Sequence, residues 1–424
     1  MLENAPRVQR AYLVAVQNEG DGDDHTHELL DELADLIRTL GIEVVGRDLV
    51  RIRKPQSRYY VGSGKADEIV AAAKQVQADV VVFDEELTPS QQRNWEHMAK
   101  LCVIDRHEVI LDIFAERART KEAVLQVALA RAKYSLPRLK RRWTHLSRQR
   151  GMAGGQGMRG EGEQQIEVDY RLVTRRIAQL AEQLEKVRKQ RGVQRKRRLR
   201  KPVPVAAIVG YTNAGKSSLL HALTDADVLI EDKLFATLDP TVKRLVLPNA
   251  QEILLADTVG FVRKLPHQLV ESFKATLEEA ILADYVIEIL DITSPQVEQH
   301  HQTTREVLHE IGVDKPSILV FNKIDVLEDT FTRGRMRRRH PDALFVSART
   351  GEGLPRLLER LAHELQDGLQ VVDLLIPHDR YELIAQLHRT SQVVEEKHED
   401  DGTRIRAAVP PALMPAVEPY AAPH

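Results

Sequence analysis

The 424-residue chain predicts an α/β protein: two alternating strand–helix domains, a long basic helical hairpin between them, and a small α+β domain at the end. Three observations carry that expectation. Short continuous apolar runs recur between amphipathic segments, as strands buried on both faces of a parallel sheet require. A net charge of −2 hides a local surplus: residues 113–200 hold 24 Lys/Arg against 8 Asp/Glu. A glycine-bounded loop, Gly210 to Ser217, lies between an apolar run and a helical pattern.

Residues 1–112 read as an N-terminal parallel-sheet domain. Ala11–Val16, Asp79–Phe83 and Leu101–Ile104 are strand candidates; His27–Leu40 and Ala66–Val76 carry helical spacing. Within it, Tyr59-Tyr60-Val61-Gly62-Ser63-Gly64-Lys65 looks like a phosphate loop but lacks a first glycine and a Ser/Thr after the lysine. A turn capping the next helix is the expected role.

Residues 113–201 read as the basic hairpin. Ile113–Leu136 is one predicted helix, ended by Pro137, and Ile166–Arg191 is the other. Between them Arg138, Lys140, Arg141, Arg142, Arg148, Arg150 and Arg159 surround a glycine-rich loop, 151–162, with Trp143 and His145 interleaved. Arginine binds phosphate in a bidentate manner and stacks on bases, so an RNA contact over 138–159 is expected.

Residues 202–368 read as a third, nucleotide-binding domain, and 369–424 as a strand–helix–strand tail. In Gly210-Tyr211-Thr212-Asn213-Ala214-Gly215-Lys216-Ser217, glycines let backbone N–H groups point at one phosphate. Lys216 supplies a charge for the β/γ-phosphates, and the Ser217 hydroxyl can ligate Mg²⁺. Asp257-Thr258-Val259-Gly260 follows a strand; its carboxylate suits Mg²⁺ and its glycine N–H suits a γ-phosphate. Asn322-Lys323-Ile324-Asp325 follows another. An ionised Asp325 accepts both donors on the edge of guanine, which adenine does not offer. Ser347-Ala348-Arg349 can bind guanine O6 through backbone N–H groups. Between the first two motifs, Thr237 and Thr241 compete as the switch threonine, with Thr237 preferred.

This ordered set resembles a translation-factor-type P-loop GTPase. Phe235-Ala236-Thr237-Leu238-Asp239, Asp257–Gly260, the basic insert and the glycine-rich loop are most similar to the HflX family in the Obg–HflX group. The resemblance covers most of the chain and is weakest in the tail. It implies that GTP/GDP and Mg²⁺ are bound, with Ser217 and Thr237 holding the metal and Lys216, Thr237 and Gly260 acting on the γ-phosphate. It also implies binding to the large ribosomal subunit and splitting or rescue of stalled or stress-arrested ribosomes. The family's Gly-Pro-Gly-Glu reads Gly160-Glu161-Gly162-Glu163 here, without the proline. Where many GTPases place a water-orienting glutamine after the DxxG motif, this chain has Phe261, so hydrolysis is expected to be slow until the ribosome stimulates it.

A single cysteine, Cys102, excludes an internal disulfide framework and fits a reducing compartment. No apolar run nears the ~20 residues of a membrane span. A cytoplasmic monomer is expected. His25, His27, His300 and His301 lack further ligands at metal spacing and are expected on the surface. Two other functions fit the same residues: a ribosome-assembly GTPase, or an RNA-remodelling ATPase centred on the N-terminal domain.

Overall fold

The computed structural model describes residues 8–18, 23–142, 161–198, 203–224, 234–235, 237–264, 279–327, 329–367, 370–399, 401–409 and 413–422. Their contacts form two compact units, one within residues 1–187 together with Leu234 and Phe235, the other mostly from residue 188 onward.

The first unit opens with β1 (Arg10–Asn18), α1 (Asp23–Thr39), β2 (Glu43–Ile52), α2 (Ser63–Gln75), β3 (Val80–Phe83), α3 (Pro89–Ala99), β4 (Cys102–Asp105) and α4 (Arg106–Arg117). The four strands are parallel in the order β2-β1-β3-β4. All four residues of β3 are buried, as a central parallel strand demands. Trp95 fills the layer beneath: it is fully buried, donates to the Tyr59 carbonyl at 2.9 Å and packs on Phe83 at 4.8 Å. Thr88 and Gln91 form a reciprocal capping box that starts α3, with Pro89 at its first turn. The Tyr59–Lys65 loop does cap a helix: Gly62 precedes α2, and Lys65 pairs with Asp48 and Glu68.

The single helix expected over Ile113–Leu136 is two. α4 stops at Arg117, and Thr120 caps α5 (Lys121–Arg142) by accepting the Ala123 N–H. Pro137 does not end it; α5 continues to Arg142. α6 (Glu161–Arg198) is the second arm of the hairpin. Leu125 and Leu129 meet Leu180 and Leu184 in an aliphatic seam between α5 and α6. Arg138 departs from the expected RNA-facing set. It donates to Asp105, Gln92 and the Leu87 carbonyl, and its guanidinium lies over the Tyr134 ring. Trp143, His145, Arg148, Arg150 and Arg159 lie outside the described residues.

The second unit contains β5 (Val205–Gly210), α7 (Lys216–Thr224), β6 (Thr241–Val246), β7 (Glu252–Asp257), β8 (Tyr285–Asp291), α8 (Val297–Glu310), β9 (Ser317–Asn322), α9 (Thr330–Arg339), β10 (Leu344–Phe345) and α10 (Leu354–Asp367). The sheet order is β10-β9-β8-β5-β7-β6, parallel except for β6. Strand β6 was not expected from the sequence; its residues are mostly half-exposed, so the apolar signal is weak. The tail follows as β11 (Gln370–Ile376), α11 (Tyr381–Thr390), β12 (Gln392–Glu399) and β13 (Gly402–Val409), an antiparallel sheet over its own core of Leu374, Leu387 and Ile405. Among the described residues, no helix is long and apolar enough to cross a membrane.

Glu108 in α4 gives the first unit a pH signature. Burial, then the charges of Asp105 and Asp112, push its carboxyl up to about 7. The folded state therefore keeps a proton that the unfolded chain releases at lower pH. The resulting stabilisation is complete below the ordinary value of 4.5 and is lost as pH rises through about 7. Glu108→Gln is expected to shrink the stability difference between about pH 5 and about pH 8. Denaturant midpoints at the two values measure it; an undiminished difference would assign the proton to another group.

Candidate functional site

The candidate residues gather at the carboxyl ends of the parallel strands, where open α/β sheets bind ligands. β5 ends at Gly210 and α7 begins at Lys216, so the loop between them is the glycine-bounded motif itself. Gly215 has φ +95°, and a Cβ there would collide with Asn322 Nδ2. Lys216 is 6% exposed, and its Nζ donates to the carbonyls of Gly210 at 3.2 Å and Tyr211 at 2.8 Å. Burial lowers its pKa to about 8, and the Asp257 carboxylate opposes that shift.

Asp257, at the end of β7, is fully buried. Its Oδ2 accepts the Ser217 hydroxyl at 2.6 Å, and Ser217 Oγ lies 2.7 Å from Thr237 Oγ1. Burial raises the Asp257 carboxyl, while Lys216 and Ser217 pull it down. Its second oxygen is buried without a hydrogen-bond partner among the described residues. Two hydroxyls and a half-satisfied carboxylate form a hard oxygen set, which suits Mg²⁺. Thr241 instead opens β6, where it pairs with Asp257 across the sheet. Thr258 donates to the Ile208 carbonyl at 2.8 Å, and Val259 is buried. A Cβ on Gly260 would lie 2.7 Å from Thr212 Cα, so only glycine fits so close to the loop. In the 235–239 stretch, Leu238 is buried within the second unit; Phe235 belongs to the first unit, where its ring meets Phe114 edge-on at 4.7 Å. Ala236 lies outside the described residues.

On the other side of the loop, Asn322 acts as a structural tie. Its Nδ2 donates to the Ala214 carbonyl, and its Oδ1 accepts the Ala348 N–H, both at 3.0 Å. It thereby fastens three of the predicted segments to one another. Asp325 accepts the Ser347 hydroxyl at 2.7 Å, and Arg349 stands 4.0 Å from its other oxygen, largely in solvent. Ile324 is buried beneath them. Lys323, at φ +66°, pairs with Asp291 at 2.8 Å. Asp291 escaped the sequence reading. An acidic residue closing the β8 run Tyr285–Asp291 was the available signal.

His300 and His301 are not free surface histidines. His301 lies 2.7 Å from the buried carboxylate of Glu288, and His300 is stacked on Tyr211.

Family models match most of residues 27–323. Residues 27–115 match the family described as GTP-binding GTPase N-terminal, 117–198 the GTP-binding GTPase Middle Region, and 205–323 the 50S ribosome-binding GTPase family. The GTPase HflX of Akkermansia muciniphila is 46% identical over 99% of this chain and 98% of its own. The GTPase HflX of Escherichia coli strain K12 is 42% identical over 90% and 89% respectively. A solved GTP-binding protein from Sulfolobus solfataricus in complex with GDP aligns over 84% of this chain and 98% of that one, at 25% identity and a TM-score of 0.43. Identity of 42–46% to those two GTPases along 90–99% of the chain, over a site with the residue set of a nucleoside triphosphatase, makes the chain a member of the HflX family of GTPases.

Proposed function

We propose that this GTPase acts as a monomer in the cytoplasm, binds the large ribosomal subunit, and uses its GTP-dependent switch to split or rescue stalled ribosomes. The observation that carries the switch is the meeting of Ser217, Thr237 and Asp257 within hydrogen-bond distance. A metal held by Ser217 and Thr237, with Asp257 behind it, would tie the 235–239 segment to the nucleotide. Mg²⁺ there would supply positive charge to the β- and γ-phosphates. Lys216 and the loop N–H groups bind the phosphates, and Gly260 offers its N–H to the γ-phosphate. Loss of that phosphate releases both segments.

Support for the ribosomal partner comes from the family match over 205–323 and from the basic hairpin. Phe261 is 1% exposed, so its ring neither reaches nor orients a water. Slow hydrolysis alone, with a partner ordering the switch, follows. Single-turnover hydrolysis is expected to accelerate at least about tenfold with purified large subunits, and sedimentation should show intact ribosomes converted to subunits only with GTP. Acceleration without conversion favours the assembly reading.

Base choice rests on Asp325. Asp325→Asn turns one acceptor into a donor facing guanine N–H groups, so GDP affinity is expected to fall ~10²-fold or more, with xanthine nucleotides gaining. Competition binding measures both; an unchanged GDP affinity would move the base pocket elsewhere.

Lys216 makes binding proton-linked. Its depressed pKa means that the unfolded chain holds more protons between about 8 and 10.5, so the nucleotide-free fold gains stability with rising pH across that window. A bound phosphate restores the ammonium. GDP binding without Mg²⁺ is therefore expected to take up about half a proton near pH 8, an uptake that fades as pH falls toward about 7, below which the terminal phosphate, with a second pKa of about 6, gives up its own proton on binding. Calorimetry in buffers of different ionisation enthalpy reads this directly, and Lys216→Arg should abolish it.

A further inference from the structure

We propose that Tyr211 is a positioning residue for GTP hydrolysis: it clamps the residues that directly follow the Asp257–Gly260 switch to the phosphate-binding loop and is itself backed by His300 on α8. The second position of a phosphate loop needs only its backbone, yet here it carries a large ring that is 4% exposed. The ring does not point into solvent or into the aliphatic core. Its hydroxyl accepts the backbone N–H of Arg263 at 2.8 Å. Its face lies on the His300 imidazole, with ring centres 3.8 Å apart and planes 9° from parallel.

The surrounding bonds make a zipper of which Tyr211 is the outermost tooth. Phe261 N–H donates to the Gly210 carbonyl at 3.1 Å, and Thr212 N–H donates to the Phe261 carbonyl at 2.7 Å. Tyr211 and Phe261 thus form a parallel bridge, and the hydroxyl extends it by two residues. The Arg263 side chain then bonds Gln299, the neighbour of His300, so α8 holds both ends of the clamp. Burial, reinforced by the Arg263 charge, keeps His300 neutral down to about 4, and Asp291 only partly opposes this. A neutral ring stacks on Tyr211 without bringing a second cation beside Arg263.

The consequence reaches the chemistry through Gly260. That residue sits between Asp257 and the zipped Phe261, against Thr212 Cα. Where its N–H points is set by the segment clamped immediately after it. A GTPase with phenylalanine in the water-orienting position depends more heavily on the placement of that N–H. The proposal rests on the reading of Gly260 as a γ-phosphate contact.

The test is a series of variants measured for single-turnover GTP hydrolysis and, separately, for GDP affinity. Tyr211→Phe removes the hydroxyl and keeps the stack; His300→Ala removes the stack; His300→Phe restores a ring. Loss of one positioning hydrogen bond predicts about tenfold slower hydrolysis for Tyr211→Phe, with GDP affinity within about twofold of the parent. His300→Ala should show the same split, His300→Phe should recover most of the rate, and the Tyr211→Phe/His300→Ala double variant should lose less than the two single losses combined. Parent-like hydrolysis in Tyr211→Phe overturns the clamp, as does a parallel loss of GDP affinity or a His300→Phe no better than His300→Ala. Binding of a non-hydrolysable GTP analogue against GDP, with trypsin protection of the 257–264 segment as the readout of order, separates the two readings. If the analogue protects that segment no more than GDP does in the parent, the γ-phosphate contact and the clamp's purpose both fall; if it protects the segment while Tyr211→Phe hydrolyses GTP normally, only the clamp falls.

Discussion

A buried ammonium facing a buried carboxylate is the constraint around which the second unit is arranged. Lys216 opens α7 and Asp257 closes β7, both buried, and each pays for burial with a pKa shift toward neutrality. Each also limits the other's shift by its opposite charge. Without a ligand the lysine satisfies itself on two loop carbonyls and the carboxylate on a serine hydroxyl. An anion beside the lysine and a cation beside the carboxylate would favour both charged forms, and the nucleotide–magnesium complex proposed above has that composition.

Around this pair, side-chain bonds tie the loops to one another. Asn322 joins the phosphate loop to the Ser347 segment, Asp291 fixes Lys323, and Ser347 fixes Asp325. The segments proposed to hold the base and the phosphates consequently share the Asn322 side chain. The switch side is held differently. Thr237 and the Phe261–Arg263 stretch contact the site through a few hydroxyls and backbone bonds. The proposed switch rests on bonds of that number being few enough to break with a change of one phosphate.

The first unit uses its charges for cohesion. Asp105 caps α4 and also gathers Leu87, Tyr134 and Arg138, while the buried Arg106 pairs with Asp84 and Glu32. Local positive charge is therefore no measure of free cation. Arg138, one of the basic residues expected to face RNA, is held by the protein's own acceptors.

Periodicity and motif spacing were enough to establish the α/β class, because a parallel strand must be apolar along its whole length and a phosphate loop must follow one. Short connections between motif and strand left little freedom, so Gly210–Ser217, Asp257–Gly260, Asn322–Asp325 and Ser347–Arg349 were all legible from the chain. Elements with mixed exposure were not: β6 and the break between α4 and α5 have weak patterns, since half-buried residues need not be apolar. Long-range partners were invisible for a different reason. Asp291 beside Lys323, His300 beneath Tyr211 and Arg138 on Asp105 are joined across 32 to 89 positions. The residue type alone says what each can bond to. Only the packing of sheet against helix decides which partner comes within reach.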